Sequence, residues 1–364
     1  MRRLLVSIAT ASIATTVAGA TVTMLCACAK PKPEGNSSPT ANPNVVIAQV
    51  VAGKDLTCAR TNAGDVYCWG DDAFSSSSMS AVSLPPPTRT RPVLVAGLKG
   101  ATAIDVGSTV GCAVDGAGAV SCWRDRTADQ TGPAPALSAQ PTGIAEALDV
   151  SLGIASVSRA CVRKRDQTVA CVTIDRGTLD RTPTPVADLE GVEAFSSGDV
   201  ISCATRKGGK LVCWGAGLFG LKPLEDALAA PPVLEGVTNV AAGSAFACAI
   251  TNDGTVKCFG SERASPPPLK AKLVRAGVAH ACLLDPQNIV HCWGDNRFGQ
   301  LGSSEADGTV REVRDAVDVA VGEWHTCALE KGGRVKCWGR NERGQVGIGK
   351  RSTEERTPSD VTFP

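Results

Sequence analysis

The chain has few of the residues and motifs on which catalysis or nucleic-acid binding depends. It contains three histidines in 364 residues, and 37 basic residues are balanced by 36 acidic ones. A net charge of +1, spread in small mixed clusters, provides no basic footprint for nucleic acid and no polybasic patch for a membrane surface. The sequence shows no Ser-His-Asp order, no His-rich metal motif and no phosphate loop. We therefore predict a protein that is not an enzyme and that uses no metal and no cofactor.

Long amphipathic helical patterns are also missing after residue 28. Thirty-eight glycines and 22 prolines indicate many turns, and Val, Ala and Thr supply the segments between them. This composition predicts an all-β protein.

Cysteine is the residue that the chain has in excess. Fourteen of the sixteen cysteines form seven pairs whose members lie ten positions apart. The pairs are Cys58 with Cys68, Cys112 with Cys122, Cys161 with Cys171, Cys203 with Cys213, Cys248 with Cys258, Cys282 with Cys292, and Cys327 with Cys337. A spacing held seven times predicts one supersecondary unit repeated seven times. Zinc sites favour closer cysteines and free thiols suit the cytoplasm, so we interpret the pairs as disulfides of an exported protein.

The spacing also predicts a hairpin. In segments such as TNDGT (251–255) and DGAGA (115–119), a glycine late in the turn fits a type I turn followed by a left-handed residue. Such a turn places the two cysteines opposite each other, within disulfide range. Closing a loop of this size contributes roughly 2–3 kcal/mol.

Five of the six tryptophans directly follow the second cysteine of a pair. They are Trp69, Trp123, Trp214, Trp293 and Trp338. One tryptophan per unit favours packing between units over the alternative, a carbohydrate-binding platform. His280 and His325 also occupy equivalent positions, two residues before a first cysteine, whereas His291 is expected to be an ordinary strand side chain.

The motifs GEWHTCALEKGGRVKCWGRNERGQVG (322–347) and HACLLDPQNIVHCWGDNRFGQLG (280–302) resemble the regulator of chromosome condensation (RCC) repeat. The resemblance spans residues 45–364 and weakens in units 2 to 4, where the Gly-Gln-Leu-Gly element is absent. It implies a seven-bladed β-propeller, and together with the cysteine spacing it predicts one disulfide-stapled hairpin per blade. It also implies that His280 and His325 bond backbone between strands. The tail TPSDVTFP (357–364) is expected to join the first blade and close the ring.

The N-terminus predicts export. Arg2 and Arg3 precede an apolar stretch (4–25), and Leu25-Cys26-Ala27-Cys28 resembles the lipobox of bacterial lipoproteins. That resemblance implies a signal peptide over residues 1–28 and lipidation of Cys28. An ordinary cleaved signal peptide and an uncleaved anchor helix remain alternatives.

The next segment, 29–44, has the Pro, Ser and Asn content of a disordered tether. Ala29 gives no obvious inner-membrane retention signal. We therefore expect a monomer held by its lipid at the bacterial cell envelope, at the outer membrane.

Two long loops follow Trp69 and Trp123, over residues 71–90 and 124–143. Binding residues concentrate on loops, so Phe74, Met79, Arg124 and Arg126 are the candidate partner-binding residues. Inert, solvated insertions are the alternative. The predicted function is a scaffold that binds a protein or an envelope polymer and no nucleic acid. The alternatives are an inhibitor that caps an enzyme with one propeller face and a polysaccharide hydrolase or lyase.

Overall fold

The strands of the protein form seven antiparallel sheets, which are the blades of a propeller. The computed structural model describes residues 45–70, 89–108, 110–124, 137–154, 158–175, 178–179, 183–186, 189–215, 234–260, 265–305 and 307–364. Every regular element in these ranges is a β-strand. None of the described residues belongs to a helix long and apolar enough to cross a bilayer.

The blades follow one another along the chain. Blade 1 contains β1 (Ile47–Ala52), β2 (Leu56–Thr61), β3 (Val66–Gly70) and β4 (Arg89–Leu94). Blade 2 contains β5 (Ala101–Val106), β6 (Val110–Asp115), β7 (Val120–Arg124) and β8 (Gln140–Pro141). Blade 3 contains β9 (Ala147–Leu152), β10 (Ser158–Lys164), β11 (Val169–Asp175), β12 (Thr178–Leu179) and β13 (Thr184–Pro185).

Blades 4 to 6 show three strands each within the described residues. They are β14 (Val192–Ser197), β15 (Ile201–Arg206) and β16 (Lys210–Gly215); β17 (Val237–Ala242), β18 (Phe246–Thr251) and β19 (Val256–Gly260); and β20 (Leu273–Ala276), β21 (His280–Leu284) and β22 (Val290–Gly294). Blade 7 contains β23 (Ala316–Val321), β24 (His325–Glu330), β25 (Val335–Arg340) and β26 (Glu354–Asp360).

All seven predicted disulfides are present, and each joins the second and third strands of a blade. The two cysteines of each pair are opposed in the register, with Cα atoms 4.0–4.1 Å apart. In blade order, the bonds join Cys58 to Cys68, Cys112 to Cys122, Cys161 to Cys171, Cys203 to Cys213, Cys248 to Cys258, Cys282 to Cys292, and Cys327 to Cys337. The pairing that the ten-residue spacing predicts is therefore confirmed in every blade.

The hairpin turns between the paired cysteines are also as expected. Gly118 and Gly254 have φ of 86° and 81°, and Gln167 and Asn288 take the same left-handed place in blades 3 and 6. The hairpin register therefore follows from the turn chemistry.

Seven glycines at the ends of the innermost strands bring neighbouring blades into backbone contact. A Cβ atom added at any of them would lie 1.9–3.1 Å from the carbonyl oxygen of the next glycine, and the contact at Gly322 returns to Gly53. The seven are Gly53, Gly107, Gly153, Gly198, Gly243, Gly277 and Gly322. The ring is thus closed by backbone packing that leaves no room for a side chain.

The predicted donation of the C-terminal strand to blade 1 is wrong. Strand β26 begins at Glu354 and pairs with β25 of blade 7, with Asp360 opposite Lys336. The physical reason is that the Pro-Val segment after the first cysteine pair forms β4 and pairs with β3, the strand before it, so blade 1 already has its fourth strand. The end of the chain still reaches blade 1, where the Phe363 ring packs edge-on against Trp69 at 5.7 Å.

Candidate functional site

Most of the residues singled out from the sequence, the lipidation site Cys28 and three of the four candidate partner-binding residues, fall outside the part of the chain that the structure describes. Cys28, Phe74, Met79 and Arg126 lie outside the described residues. Arg124 is the last residue of β7, where its backbone pairs with that of Val110. The role of these residues stays a prediction.

Strand order divides the propeller into two faces. In an antiparallel blade, the connection after the first strand and the connection after the third strand lie at the same end, and the central hairpin turn lies at the other. We call the first of these ends the loop face. It carries residues 295–302 of blade 6 and residues 322–324 and 341–351 of blade 7.

Aromatic and arginine side chains from two blades stack on the loop face. The guanidinium carbon of Arg297 lies 5.1 Å from the centroid of the Trp324 ring, and Phe298 meets that ring edge-on at 5.6 Å. The guanidinium of Arg340 lies over Phe298, 5.4 Å from its centroid. Cation–π and edge-to-face contacts of this kind each contribute about 0.5–1.5 kcal/mol. We call these four residues the Trp324 cluster.

Carboxylates hold both arginines of the Trp324 cluster in place. Arg297 donates from Nη2 to Asp295 at 2.7 Å and from Nε to both carboxylate oxygens at 3.1 Å. These bonds raise the pKa of Arg297 above its ordinary value. Arg340 donates from Nε to Glu342 at 2.8 Å. The cluster is therefore fixed in position before any partner arrives.

Amide side chains shape the loop that carries Arg297 and Phe298. Gln300 Oε1 accepts the Phe298 N–H at 2.9 Å, and Gln300 Nε2 donates to Asp295 at 3.1 Å. Asn296 Oδ1 accepts the Leu301 N–H at 3.1 Å. Gln345 and Asn341 bond their own loop in the same way in blade 7. The Asn and Gln side chains of the DNRFGQLG and RNERGQVG motifs therefore accept equivalent backbone hydrogen bonds in the two loops.

These loops also fasten one blade to the next. Thr57 Oγ1 in blade 1 donates to the Gln345 carbonyl at 2.8 Å, and Trp69 Nε1 donates to the same oxygen at 2.9 Å. His325 Nε2 lies 2.8 Å from Thr57 Oγ1. Because the single hydroxyl hydrogen goes to the carbonyl, the histidine must donate from Nε2. We call this set of four residues a staple.

A second staple joins blades 6 and 7 through His280, Thr326, Gln300 and Trp338. Burial lowers the pKa of both histidines to about 3, so both are neutral. Their partner is a threonine hydroxyl of the next blade, which corrects the backbone bond that the resemblance implies. These histidines are structural groups.

His291 lies on β22 and is also buried. Its Nε2 is 3.3 Å from Asp285 Oδ2, and its Nδ1 is 3.1 Å from Thr309 Oγ1. All three residues are at least nine-tenths buried, so the Thr309 hydroxyl is not presented to a substrate. We interpret this chain of bonds as a connection within blade 6.

The innermost strands line a central cavity of about 240 Å³ that includes Asp105, Asp149 and Asp318. Burial raises the pKa of Asp105 to about 6, although its oxygens accept the N–H groups of Leu152 and Val106. Asp149 and Asp318 are paired with arginines, at 2.6 Å and 3.2 Å. No group of three or more potential metal ligands occurs among the described residues. The hydrogen bonds and ion pairs of Asp105, Asp149 and Asp318 are all made to other residues of the innermost strands and their neighbours in the scaffold.

The architecture defines the class of protein as a disulfide-stapled, seven-bladed β-propeller. The sequence profile of the regulator of chromosome condensation (RCC1) repeat matches residues 47–75, 237–263, 271–300 and 316–345, and a second profile of the same repeat matches residues 287–329. The chain therefore contains RCC repeats, and the matched segments cover the central hairpins of blades 1, 5, 6 and 7. The comparison with curated proteins found no match.

Solved structures share the fold at low sequence identity. Human WBSCR16 has a TM-score of 0.60 at 17% identity, covering 82% of this chain and 94% of that protein. The ectodomain of the Arabidopsis thaliana receptor kinase ACR4 has a TM-score of 0.51 at 18% identity, covering 87% and 99%. The ectodomain of the Physcomitrella patens receptor kinase CR4 has a TM-score of 0.50 at 18% identity, covering 81% and 74%. At these identities the likeness concerns the fold alone.

The predicted packing role of the tryptophans is confirmed for Trp69, Trp123, Trp214 and Trp338, which are at most 2% exposed. Trp293 is half-buried and packs against the core cluster shared by blades 5 and 6. Sequence reasoning passed over Trp324, which is half-buried on the loop face. One signal could have found it: Trp324 is the single tryptophan that does not follow a cysteine.

Proposed function

We propose that this protein is an exported, lipid-anchored propeller that binds a protein partner at the bacterial cell envelope through its loop face. Propellers of RCC repeats are generally binding and exchange-factor scaffolds, which supports a binding role. The Trp324 cluster is the observation that carries the proposal. Tryptophan and arginine are the residues most enriched among interface hot spots, and a fixed cluster loses little entropy on binding.

Two further features support the envelope location. Seven disulfides fit an oxidising compartment, and the segment from Leu25 to Cys28 fits a lipid attachment point. The same fold also occurs in the ectodomains of plant receptor kinases. An exchange-factor role needs a cytoplasmic GTPase and therefore does not suit an exported protein.

The anchor can be tested by the intact mass of the membrane-extracted protein, before and after reduction. We expect acyl chains on a mature protein beginning at Cys28, and seven disulfides. A mass that corresponds to an unmodified chain with free thiols would contradict both the anchor and the compartment.

The binding role can be tested by photo-crosslinking. A photoreactive residue at position 297 of the loop face and one at position 207, in the hairpin turn of blade 4 on the opposite face, form a matched pair. In envelope extracts, we expect discrete protein adducts from position 297 and none from position 207. Equal adduct patterns at both positions would rule out the loop face as the docking surface.

A further inference from the structure

We propose that the loop face of blades 6, 7 and 1 docks an acidic segment of its protein partner, with an apolar side chain of that segment against the Trp324 cluster. This inference rests on the protein-binding function proposed above and adds the chemistry of the partner. It draws on three observations: a local excess of positive charge, the exposure of that charge, and the way in which the ring faces of the cluster are occupied.

The first observation is a local charge excess in an otherwise balanced chain. Residues 340–356, RNERGQVGIGKRSTEER, contain five basic and three acidic side chains, whereas the whole chain is nearly neutral. The start of β4 adds the exposed Arg91 beside this loop, because the Gly349 N–H donates to the Thr90 carbonyl at 2.7 Å. The junction of blades 7 and 1 is therefore basic.

The second observation is that part of this charge points outward. Arg91 and Arg351 are exposed, and none of the ion pairs among the described residues uses them. Arg297 and Arg340, in contrast, are already paired with carboxylates. The loop face thus combines a neutral aromatic centre with a basic rim, which attracts an acidic partner and disfavours a basic one.

The third observation is that arginines already occupy part of the ring surface on which a ligand could stack. A sugar ring or a nucleobase binds an aromatic side chain by stacking on an open face. In the Trp324 cluster, Arg297 covers one face of Trp324 and Arg340 covers one face of Phe298. The ring surface that remains is smaller than a stacking platform of two open faces, and it suits an inserted apolar side chain of a protein segment.

The test is selection from a random 12-residue peptide library against the wild-type propeller, followed by affinity measurement of the selected peptides. We expect peptides that contain several Asp or Glu residues and one Leu, Phe or Trp. Trp324→Ala should weaken their binding at least tenfold, and the double variant Arg91→Glu with Arg351→Glu should weaken it about tenfold at low salt. The double variant Lys207→Glu with Lys331→Glu, the same charge change on two exposed hairpin turns of the opposite face, should leave it unchanged. Added salt should weaken wild-type binding and have less effect on the double variant.

Selected peptides without acidic residues, or peptides that bind Trp324→Ala and wild type equally, would overturn the inference. Dextran sulfate that binds the wild type more tightly than the best peptide would assign the surface to an anionic polymer and would also overturn it. A circular dichroism melt of each variant checks that the propeller is intact. Protein adducts at position 297 without acidic-peptide binding would contradict only this inference, whereas the absence of both would contradict the proposed function as well.

Discussion

The junctions around blade 7 differ from the other junctions of the ring. Blades 6 and 7, and blades 7 and 1, are joined by staples in which His, Thr, Gln and Trp meet. The staple histidine and threonine lie two residues and one residue before the first cysteine of their blades. At the other five junctions these equivalent positions are occupied by other pairs: Leu56 with Gly111, Val110 with Ala160, Arg159 with Ser202, Ile201 with Ala247, and Phe246 with Ala281. The indole N–H groups of Trp123, Trp214 and Trp293 find no partner among the described residues. Histidine and threonine are thus present together or absent together, because a buried imidazole without its hydroxyl partner is costly.

The other junctions are connected nearer to the axis. Gln49 bonds both backbone groups of Ile104 across blades 1 and 2, and Asp105 accepts the Leu152 N–H across blades 2 and 3. Three more such bonds follow: Ser151 to Ser197, Ser196 to Ala242 and Asn239 to Val274. Polar residues of the innermost strands therefore connect the blades that lack a staple, and Arg275 with Asp318 adds such a connection at the stapled junction of blades 6 and 7. The blades of this ring are therefore joined by two kinds of contact: the staples around blade 7, and polar bonds between innermost strands nearer to the axis.

Removing the end of the chain should break the junction of blades 7 and 1 most severely. Deletion of residues 357–364 removes half of β26 together with Phe363, whose ring packs on Tyr67 and Trp69. We expect a loss of at least about 4 kcal/mol in the free energy of unfolding, measured by urea denaturation. Phe363→Leu, which keeps the strand, should cost less. An unchanged melting temperature after the deletion would show that the tail is dispensable.

Acid should weaken the stapled junctions before the others. The folded-state pKa of His280 and His325 is about 3, below the unfolded value of about 6.5. The unfolded chain therefore binds protons that the folded protein does not, and stability falls as pH drops from about 6.5 towards 3. Each histidine contributes about 1.4 kcal/mol per pH unit in this window.

Hydrogen exchange at pH 7 and pH 5 can localise this effect. We expect the amides of β21, β24 and β2 to lose protection before those of β6 and β15. The urea stability of the double variant His280→Gln with His325→Gln should depend less on pH than that of the wild type. Uniform loss of protection around the ring would contradict the assignment to the staples.

A double-mutant cycle can measure the staple itself. Thr57→Val leaves the His325 imidazole buried without its partner and should cost about 1–3 kcal/mol. His325→Leu in addition copies the apolar pairs found at other junctions, so the double variant should lose less than the sum of the single losses. Additive losses in thermal or urea unfolding would show that the two side chains do not act as a unit.

The fold could be predicted from the sequence because its main constraints are local and repeated. The ten-residue cysteine spacing fixes each hairpin through the turn, and the count of pairs gives the count of blades. The partner of β26 could not be predicted in the same way, because a Pro-Val segment between two cysteine pairs can join the blade before it or after it. The Trp324 cluster combines loops from two blades, so no single repeat contains its pattern. His325 was recognised as structural, but its bond to Thr57 spans 268 positions and becomes visible only when the ring is closed.

Asp105, which connects blades 2 and 3 near the axis, should make stability depend on pH in the opposite direction to the two histidines. This is the smallest effect that we expect. Burial raises its folded-state pKa to about 6, above the unfolded value of about 3.9, so the folded protein holds the proton more tightly. Stability from this group therefore increases as pH falls from above 6 towards 4, against the trend of the histidines. Asp105→Asn keeps an oxygen that can accept the Leu152 N–H and cannot titrate. The stability difference between wild type and variant should thus shift in favour of the wild type between pH 8 and pH 5, by at most about 1.4 kcal/mol per pH unit. A difference that stays constant over this range in urea titrations would show that the Asp105 carboxylate is solvated like an ordinary surface acid, and that the connection between blades 2 and 3 carries no buried charge.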